Sequence, residues 1–217
     1  GCDKFCTFCA VPYTRGREVS RPARDVLREI EELVSRGYQI ITLLGQNVNS
    51  YGRDQLNIEL TFAEMLGEVG ELCDSAPQKI WVYFTSPHPA DMSPAVLEQI
   101  AKYDSLAKQI HLPMQSADDK LLIRMNRNHS MEQYRKVVSQ IRTVLPSASL
   151  FTDIIVGFCG ETEEQFEQSR LAMEEFAFDM AYIAIYSPRS GAASARWPDD
   201  ISLTEKKRRF RILTDVL

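Results

Sequence analysis

The sequence lacks the features of a membrane or secreted chain. None of its apolar runs approaches the roughly 18 residues that a membrane span needs, and no basic and apolar secretion signal opens it. Internal repeats and low-complexity linkers are missing too. These absences predict one domain over residues 1–217, with a cytoplasmic location and no membrane partner. Since the first residue is Gly1 rather than Met, we expect this domain to be a piece of a longer protein.

Positive charge is in deficit, with 25 lysines and arginines against 30 aspartates and glutamates and a net charge of −5. This balance argues against indiscriminate binding to a polyanion. The charge is uneven, because residues 1–24 and 203–217 are basic while residues 153–179 are strongly acidic. A nucleic-acid partner would have to meet the two basic ends and avoid the acidic stretch. An ordinary solvated surface of uneven charge explains the pattern equally well.

Cysteine is sparse, and its placement is informative. Of the five cysteines, Cys2, Cys6 and Cys9 share one short stretch, whereas Cys73 and Cys159 stand alone. The isolated pair is expected to be inert and apolar in character. A disulfide framework would spread an even number of cysteines through a short, loop-rich chain. The pattern instead predicts a reducing compartment and a metal at the N-terminal loop.

Helix-like and strand-like segments alternate along the chain. Apolar runs predict strands at 38–44, 80–85, 109–112, 150–156 and 180–186, the first of them buried on both faces. Amphipathic patterns and capping residues predict helices near 61–72 and 93–101, and others that open at Ser20, Ser130 (with Gln133 in a capping box), Glu161 and Ser202. Such alternation implies parallel strands joined by right-handed crossovers. We predict an α/β fold, a partial (β/α)6 TIM-like barrel whose first strand lies outside the chain.

The three clustered cysteines have the spacing C-x3-C-x2-C, which lets three thiolates face a common centre. Zinc prefers a closed set of four ligands, and no fourth cysteine or histidine is nearby in the sequence. A four-iron cluster held by three thiolates leaves one iron open for a substrate or cofactor. The spacing therefore favours an open [4Fe-4S] cluster, with a zinc site or three inert thiols as alternatives.

The cysteine loop, with aromatic Phe8 before its last cysteine, resembles the signature of radical S-adenosylmethionine enzymes. Further stretches resemble the methylthiotransferase family of that superfamily: LLGQNVNSYG (43–52), FTSPHP (84–89), HLPMQS (111–116), MNR (125–127), TDIIVGFCGETEEQF (152–166) and YSPRSG (186–191). The resemblance runs the length of the chain. It implies the radical S-adenosylmethionine fold and an enzyme of the transferase class.

The resemblance also implies two cofactors. One is a [4Fe-4S] cluster with Cys2, Cys6 and Cys9 as ligands and one open iron. The other is S-adenosylmethionine, which that iron binds and whose adenine Phe8 would approach. A second [4Fe-4S] cluster is expected only in an N-terminal domain that the family normally adds, and a C-terminal RNA-binding domain is expected as well. Neither domain is present in residues 1–217.

Loops at the predicted strand ends supply weaker candidates. Gly45, Gln46 and Asn47 would meet the methionyl end of S-adenosylmethionine, although a plain turn explains them too. Gly157 allows close backbone approach, and Glu161 at a helix start would meet a ribose or carboxylate. A simple helix cap explains Glu161 nearly as well.

Other polar residues are assigned on position alone. Lys4 and Arg15 could balance the negative charge of the cluster, although a solvated role fits them equally. Ser86, His88 and Gln115 lie on strand-end loops and could face the substrate. A structural role for His88, held between two prolines, is as good an interpretation.

By resemblance, the expected reaction is methylthiolation of C2 of an N6-isopentenyl-modified adenosine beside the tRNA anticodon. The expected partners are the tRNA substrate and an electron donor protein, and the oligomeric state is left open. Two other readings of the sequence stay open. One is a methylthiotransferase acting on a ribosomal protein side chain, and the other is a non-enzymatic, zinc-stabilised RNA-binding module.

Overall fold

Helices and short strands alternate along the chain in a computed structural model that describes residues 1–54 and 60–217. The strands are β1 (Ile40–Leu43), β2 (Trp81–Phe84), β3 (Gln109–His111), β4 (Ser149–Val156) and β5 (Met180–Ile185). The helices are α1 (Val11–Arg15), α2 (Ala23–Ser35), α3 (Phe62–Asp74), α4 (Pro94–Lys102), α5 (Asp119–Arg124), α6 (Met131–Val144), α7 (Glu163–Phe176) and α8 (Leu203–Val216). Within the described ranges, no helix is long and apolar enough to cross a bilayer.

Every strand pairing is parallel. β1 pairs with β2, and β4 lies between β3 and β5. A parallel bridge between Val82 and Leu106 joins the far edge of β2 to the segment before β3. The described strands therefore follow chain order in one open parallel array and close no barrel. The predicted α/β fold of a partial barrel is confirmed.

The helices cover one face of this array, and the other face is left open. Along β4 the burial alternates, with Leu150, Ile154 and Val156 fully buried in the core while Phe151 and Asp153 are only half-buried. Because successive side chains of a strand point to opposite faces, the half-buried set lies on the inner face. The parallel strands all end at the same edge, and the loops that follow them gather there.

The prediction that the first strand is buried on both faces is wrong. Only Ile41 of β1 is buried, while Ile40 is 66 % exposed and Leu44, just beyond the strand, is 80 % exposed. In the described residues β1 pairs on one side alone, with β2, and helices cover only one of its faces. An apolar run predicts a strand, but it does not report how many neighbours that strand has.

Two predicted helix starts are also wrong. α2 begins at Ala23 behind Pro22, while the Ser20 hydroxyl donates instead to Asp54 and accepts from the Gly52 amide. α7 begins two residues after Glu161, with Thr162 as its cap. The short helices α1 and α5 were not predicted, because they have too few turns to show the 3.6-residue repeat of apolar residues that marks a helix.

The capping box of α6 is confirmed. The Ser130 hydroxyl accepts from the Gln133 amide at 3.2 Å, and the Gln133 side chain accepts from the Ser130 amide at 2.9 Å. The box satisfies two amides that the first turn of a helix leaves without intrahelical partners. It fixes the start of a helix whose Tyr134 and Ile141 are fully buried.

We expect Ser130→Ala to lower the free energy of unfolding by about 1 kcal/mol, because the mutation removes this cap. Urea denaturation followed by circular dichroism measures the loss. Ser139→Ala is the matched control, since it removes the same hydroxyl from an exposed position of the same helix. Its effect should stay within about 0.5 kcal/mol. Equal losses in the two variants would contradict this role of the cap.

Candidate functional site

The cysteine loop lies across the carboxyl edge of the strands and is held there by hydrogen bonds. Its Thr7 amide donates to the Met125 carbonyl at 3.0 Å, and the Thr7 hydroxyl donates to the Arg124 carbonyl at 2.9 Å. The Asn126 side chain donates to the carbonyls of Lys4 and Phe5. The end of α5 and the residues after it therefore hold the cysteine loop in place.

The three predicted ligands lie together on this loop as free thiols. Cys6 is buried, and Cys2 and Cys9 are half-buried. Burial raises the pKa of Cys2, and the negative charges of Glu18, Cys6 and Cys9 add to that increase. Burial and the neighbouring Cys6 also raise the pKa of Cys9. A cationic centre bound between these neighbouring sulfurs would favour their ionised form.

Within the described part of the chain, no three His, Cys, Asp or Glu side chains are close enough to hold one metal ion. Zinc binds sulfur at about 2.3 Å, so its thiolate ligands must converge tightly. A four-iron cluster places its ligands on separate corners of a larger cube. Three thiols on one loop are the donor set that a four-iron cluster with one open iron takes, so the residues present fit such a cluster.

Lys4 is not a free counter-charge for the cysteines. Its ammonium forms a 2.6 Å ion pair with Asp91, whose carboxylate is 5 % exposed and also pairs with Arg53. Burial alone would raise the pKa of Asp91, but hydrogen bonds from Lys4 and Asn47 hold it below its ordinary value. Lys4 therefore shares the carboxylate of Asp91 with Arg53, and its role as a counter-charge to a cluster stays a prediction. Arg15 ends α1 and is exposed.

The loop after β1 belongs to the same polar network. Asn47 is buried and donates to Asp91 at 3.1 Å, while its Oδ1 is buried without a hydrogen-bond partner among the described residues. Gln46 is exposed and Gly45 is half-buried. The loop thus carries one unused buried acceptor beside the cysteine loop.

Phe8 lies at the other end of the edge, against a separate apolar cluster. Its ring meets Phe158 edge-on with 6.5 Å between centroids. Phe158 is fully buried and makes edge contacts with Tyr186 and Trp197. The cysteine loop therefore extends from the loops after β1 and β2 to those after β4 and β5.

Gly157 and Glu161 hold the loop after β4. Gly157 has φ +71°, and a Cβ there would lie 2.3 Å from the Lys206 side chain. Glu161 is 4 % exposed, and its Oε2 accepts from the Gly157 amide at 2.6 Å and from Arg209 at 2.7 Å. Burial raises the pKa of Glu161 despite these bonds. Its carboxylate is thus committed within the protein, so a cofactor contact would compete with a buried ion pair.

The inner face of the sheet carries polar and aromatic side chains. His111 Nε2 lies 3.1 Å from Asp153 Oδ1, and the His111 ring meets Tyr182 with 5.8 Å between centroids. Tyr182 pairs with Asp153 across β4 and β5 and is 55 % exposed. This face offers an aromatic ring and hydrogen-bonding groups to a planar ligand.

A half-buried cationic group beside Cys6 was not predicted from the sequence. Arg127 Nη1 lies 3.5 Å from Cys6 Sγ and Nη2 donates to the Pro113 carbonyl at 3.0 Å. Burial, with the nearby guanidinium, lowers the pKa of His88 to about 2 and that of His129 to about 3. The MNR stretch was the only sequence signal for this residue. Two further residues predicted to face the substrate, Ser86 and Gln115, have left-handed backbones on their strand-end loops.

A family model described as the Radical SAM superfamily matches residues 1–172. The chain belongs to the radical SAM superfamily. Membership implies a [4Fe-4S] cluster and S-adenosylmethionine as cofactors.

Curated relatives and a solved structure agree with this family. The chain is 45 % identical over all 217 residues to the tRNA-2-methylthio-N(6)-dimethylallyladenosine synthase of Oceanobacillus iheyensis, covering 41 % of that protein. It is 46 % identical over its whole length to the Clostridium botulinum (strain Hall) synthase of the same name, covering 47 %. It spans less than half the length of these relatives. Streptococcus suis SuiB bound to S-adenosylmethionine shares the fold, with a TM-score of 0.64, 18 % identity, and coverage of 97 % of this chain and 44 % of SuiB.

We expect Asp91→Asn to lower the free energy of unfolding by about 2–3 kcal/mol, because it leaves Lys4 without its buried partner. Urea denaturation near neutral pH measures this loss. The pKa of Asp91 is depressed, so its contribution is present above the unfolded-state pKa and fades as the pH falls through the folded-state value. The gap between the proteins should therefore narrow in acid. Glu98→Gln, on the exposed side of α4, should have little effect at any pH, and a similar loss there would contradict the assignment.

Proposed function

We propose that the chain is the catalytic core of a tRNA methylthiotransferase that modifies C2 of an N6-isopentenyl-modified adenosine next to the anticodon. The main support is the similarity along all 217 residues to synthases of that name. Because the chain spans less than half of those proteins, the complete reaction is proposed for the longer protein. An N-terminal domain with a second [4Fe-4S] cluster and a C-terminal RNA-binding domain are proposed to supply the rest.

Cys2, Cys6 and Cys9 are the proposed ligands of the cluster, and one iron is left open for S-adenosylmethionine. The observation that carries this proposal is the gathering of three free thiols on one loop at the carboxyl edge of the sheet. When bound, the cluster supplies the electron that cleaves the sulfonium and generates a carbon radical. The chain's own task is to hold the reacting groups close together and exclude water.

The loops on either side of the cysteines are proposed to orient S-adenosylmethionine. Asn47 Oδ1, buried and without a partner in the described residues, suits the ammonium of the methionyl end. Gly45 and Gln46 would complete that contact. Phe8 is proposed to lie beside the adenine, with Gly157 allowing close approach of the backbone. Glu161 is proposed to act by accepting a hydrogen bond from the Gly157 amide, which fixes that loop, rather than by touching the cofactor.

The open inner face is proposed to take the target base. Tyr182 offers a stacking surface, and His111 and Asp153 offer hydrogen-bonding groups to a purine edge. The basic C-terminal helix is a poor tRNA contact, because Arg208 and Arg209 pair with acidic residues such as Glu163. Contacts with tRNA phosphates are therefore proposed for the missing RNA-binding domain, and an electron donor protein remains a proposed partner.

Alanine substitution at Cys2, Cys6 or Cys9 should abolish the iron-dependent absorbance of the anaerobically reconstituted protein. It should also abolish formation of 5′-deoxyadenosine, because each substitution removes a ligand. Cys73→Ala is the control, since Cys73 is buried in the core and burial raises its pKa to about 11. That control should retain its iron. Retention of cluster and cleavage in the triple variant would refute the ligand set.

The tRNA substrate is tested in a strain that lacks the full-length gene. Nucleoside mass spectrometry should show loss of 2-methylthio adenosines, and the intact gene should restore them while a Cys6→Ala gene should not. Unchanged nucleosides would favour the ribosomal-protein alternative. One equivalent of zinc without iron in the anaerobically purified protein would instead favour the RNA-binding module.

A further inference from the structure

One guanidinium lies directly against the cysteine loop. Arg127 Nη1 is 3.5 Å from Cys6 Sγ, and Nη2 donates to the Pro113 carbonyl at 3.0 Å. Its Nε is buried and has no hydrogen-bond partner in the described residues. The two contacts anchor the fork between the loop after β3 and the thiol of Cys6. The side chain is therefore held in place rather than free to move in solvent.

The surroundings leave the charge of Arg127 uncompensated. In the described ranges, no carboxylate forms an ion pair with it, and the nearby His88 and His129 are neutral because their pKa values are about 2 and 3. A partly buried cation without a counter-ion is costly. The Cys6 sulfur is the group beside its guanidinium that would carry a negative charge as a cluster ligand. Lys4 lies on the same loop, but its ammonium pairs with the carboxylate of Asp91, which Arg53 also contacts.

The backbone around Arg127 is built to keep this contact. Asn126 has φ +55°, a left-handed conformation that places Arg127 beneath the loop while the Asn126 side chain binds the carbonyls of Lys4 and Phe5. The Arg127 amide donates to the Leu122 carbonyl at 2.9 Å, which ties it to α5. The same segment thus holds the loop and presents the guanidinium to its central cysteine.

We propose that Arg127 sets the reduction potential of the cluster by donating a hydrogen bond to the Cys6 sulfur and by holding a fixed positive charge beside it. The inference rests on the three-cysteine ligand set proposed above. Reduction adds one electron and hence one negative charge to the cluster. A fixed cation and a hydrogen bond to a ligand sulfur stabilise that added charge and make reduction easier. Arg127 is a positioning residue, because it acts through Cys6.

The test is a redox titration of the reconstituted protein with dithionite, followed by electron paramagnetic resonance. Arg127→Met keeps most of the side-chain length and removes the charge and the donors. We expect the equilibrium constant for reduction to fall about tenfold, which for one electron is about 59 mV towards more negative potential. Arg127→Lys keeps the charge but loses the two-pronged fork, so it should shift the constant the same way by about threefold.

Controls separate this proposal from the proposed function. Arg135→Met removes an exposed arginine of α6 that pairs with Glu175 of α7, and the potential of this variant should match the wild type. Iron content and circular dichroism identify variants that fail to load or fold. If the wild type forms no cluster, the proposed function fails. If the wild type forms a cluster and Arg127→Met has the same reduction potential, only this inference is overturned. Should Arg127→Met fail to take up iron, an unchanged potential in Arg127→Lys overturns it instead.

Discussion

Three cysteines on one short loop repel one another when their thiols ionise, and hydrogen bonds fix the loop that carries them at the carboxyl edge of the sheet. Burial and mutual charge raise the pKa values of Cys2 and Cys9. These thiols therefore hold their protons more tightly, and a cationic centre that binds the sulfurs would favour the thiolates. Hydrogen bonds hold the loop in place in spite of this repulsion. The Thr7 hydroxyl donates to the Arg124 carbonyl, and the Asn126 side chain donates to the carbonyls of Lys4 and Phe5.

Charges near this loop differ in whether they are neutralised. Lys4 and Arg53 share the carboxylate of Asp91, and Arg209 pairs with Glu161, so each of these cations has a carboxylate partner inside the protein. These pairs tie the loops after β1, β2 and β4 to the elements around them. Arg127 differs because its guanidinium contacts a cysteine sulfur and no carboxylate among the described residues. Lys4, Arg53 and Arg209 thus serve in structural ion pairs, whereas the guanidinium of Arg127 faces the cysteine loop.

Much of the architecture could be predicted from periodicity and capping. The five strands and the long helices lie close to their predicted positions, because apolar alternation and residues such as Thr61, Ser130 and Ser202 mark local boundaries. Two helix starts were predicted wrongly, because the side chain that resembled a helix cap binds a residue distant in sequence instead. Ser20 has the chemistry of a cap, but Asp54 lies within reach of its hydroxyl. Glu161 resembles a helix start, but Arg209 of α8, distant in sequence, binds its carboxylate.

The sequence by itself determined the cysteine spacing, the order of helices and strands, and the family resemblance, since each of these is encoded in neighbouring residues. Only the tertiary structure decided which cation serves the cysteines. Lys4 and Arg127 carry the same charge, and no local pattern distinguishes them. The fold brings Asp91 to Lys4 and none of the described carboxylates to Arg127, because loops that are remote along the chain meet where parallel strands end.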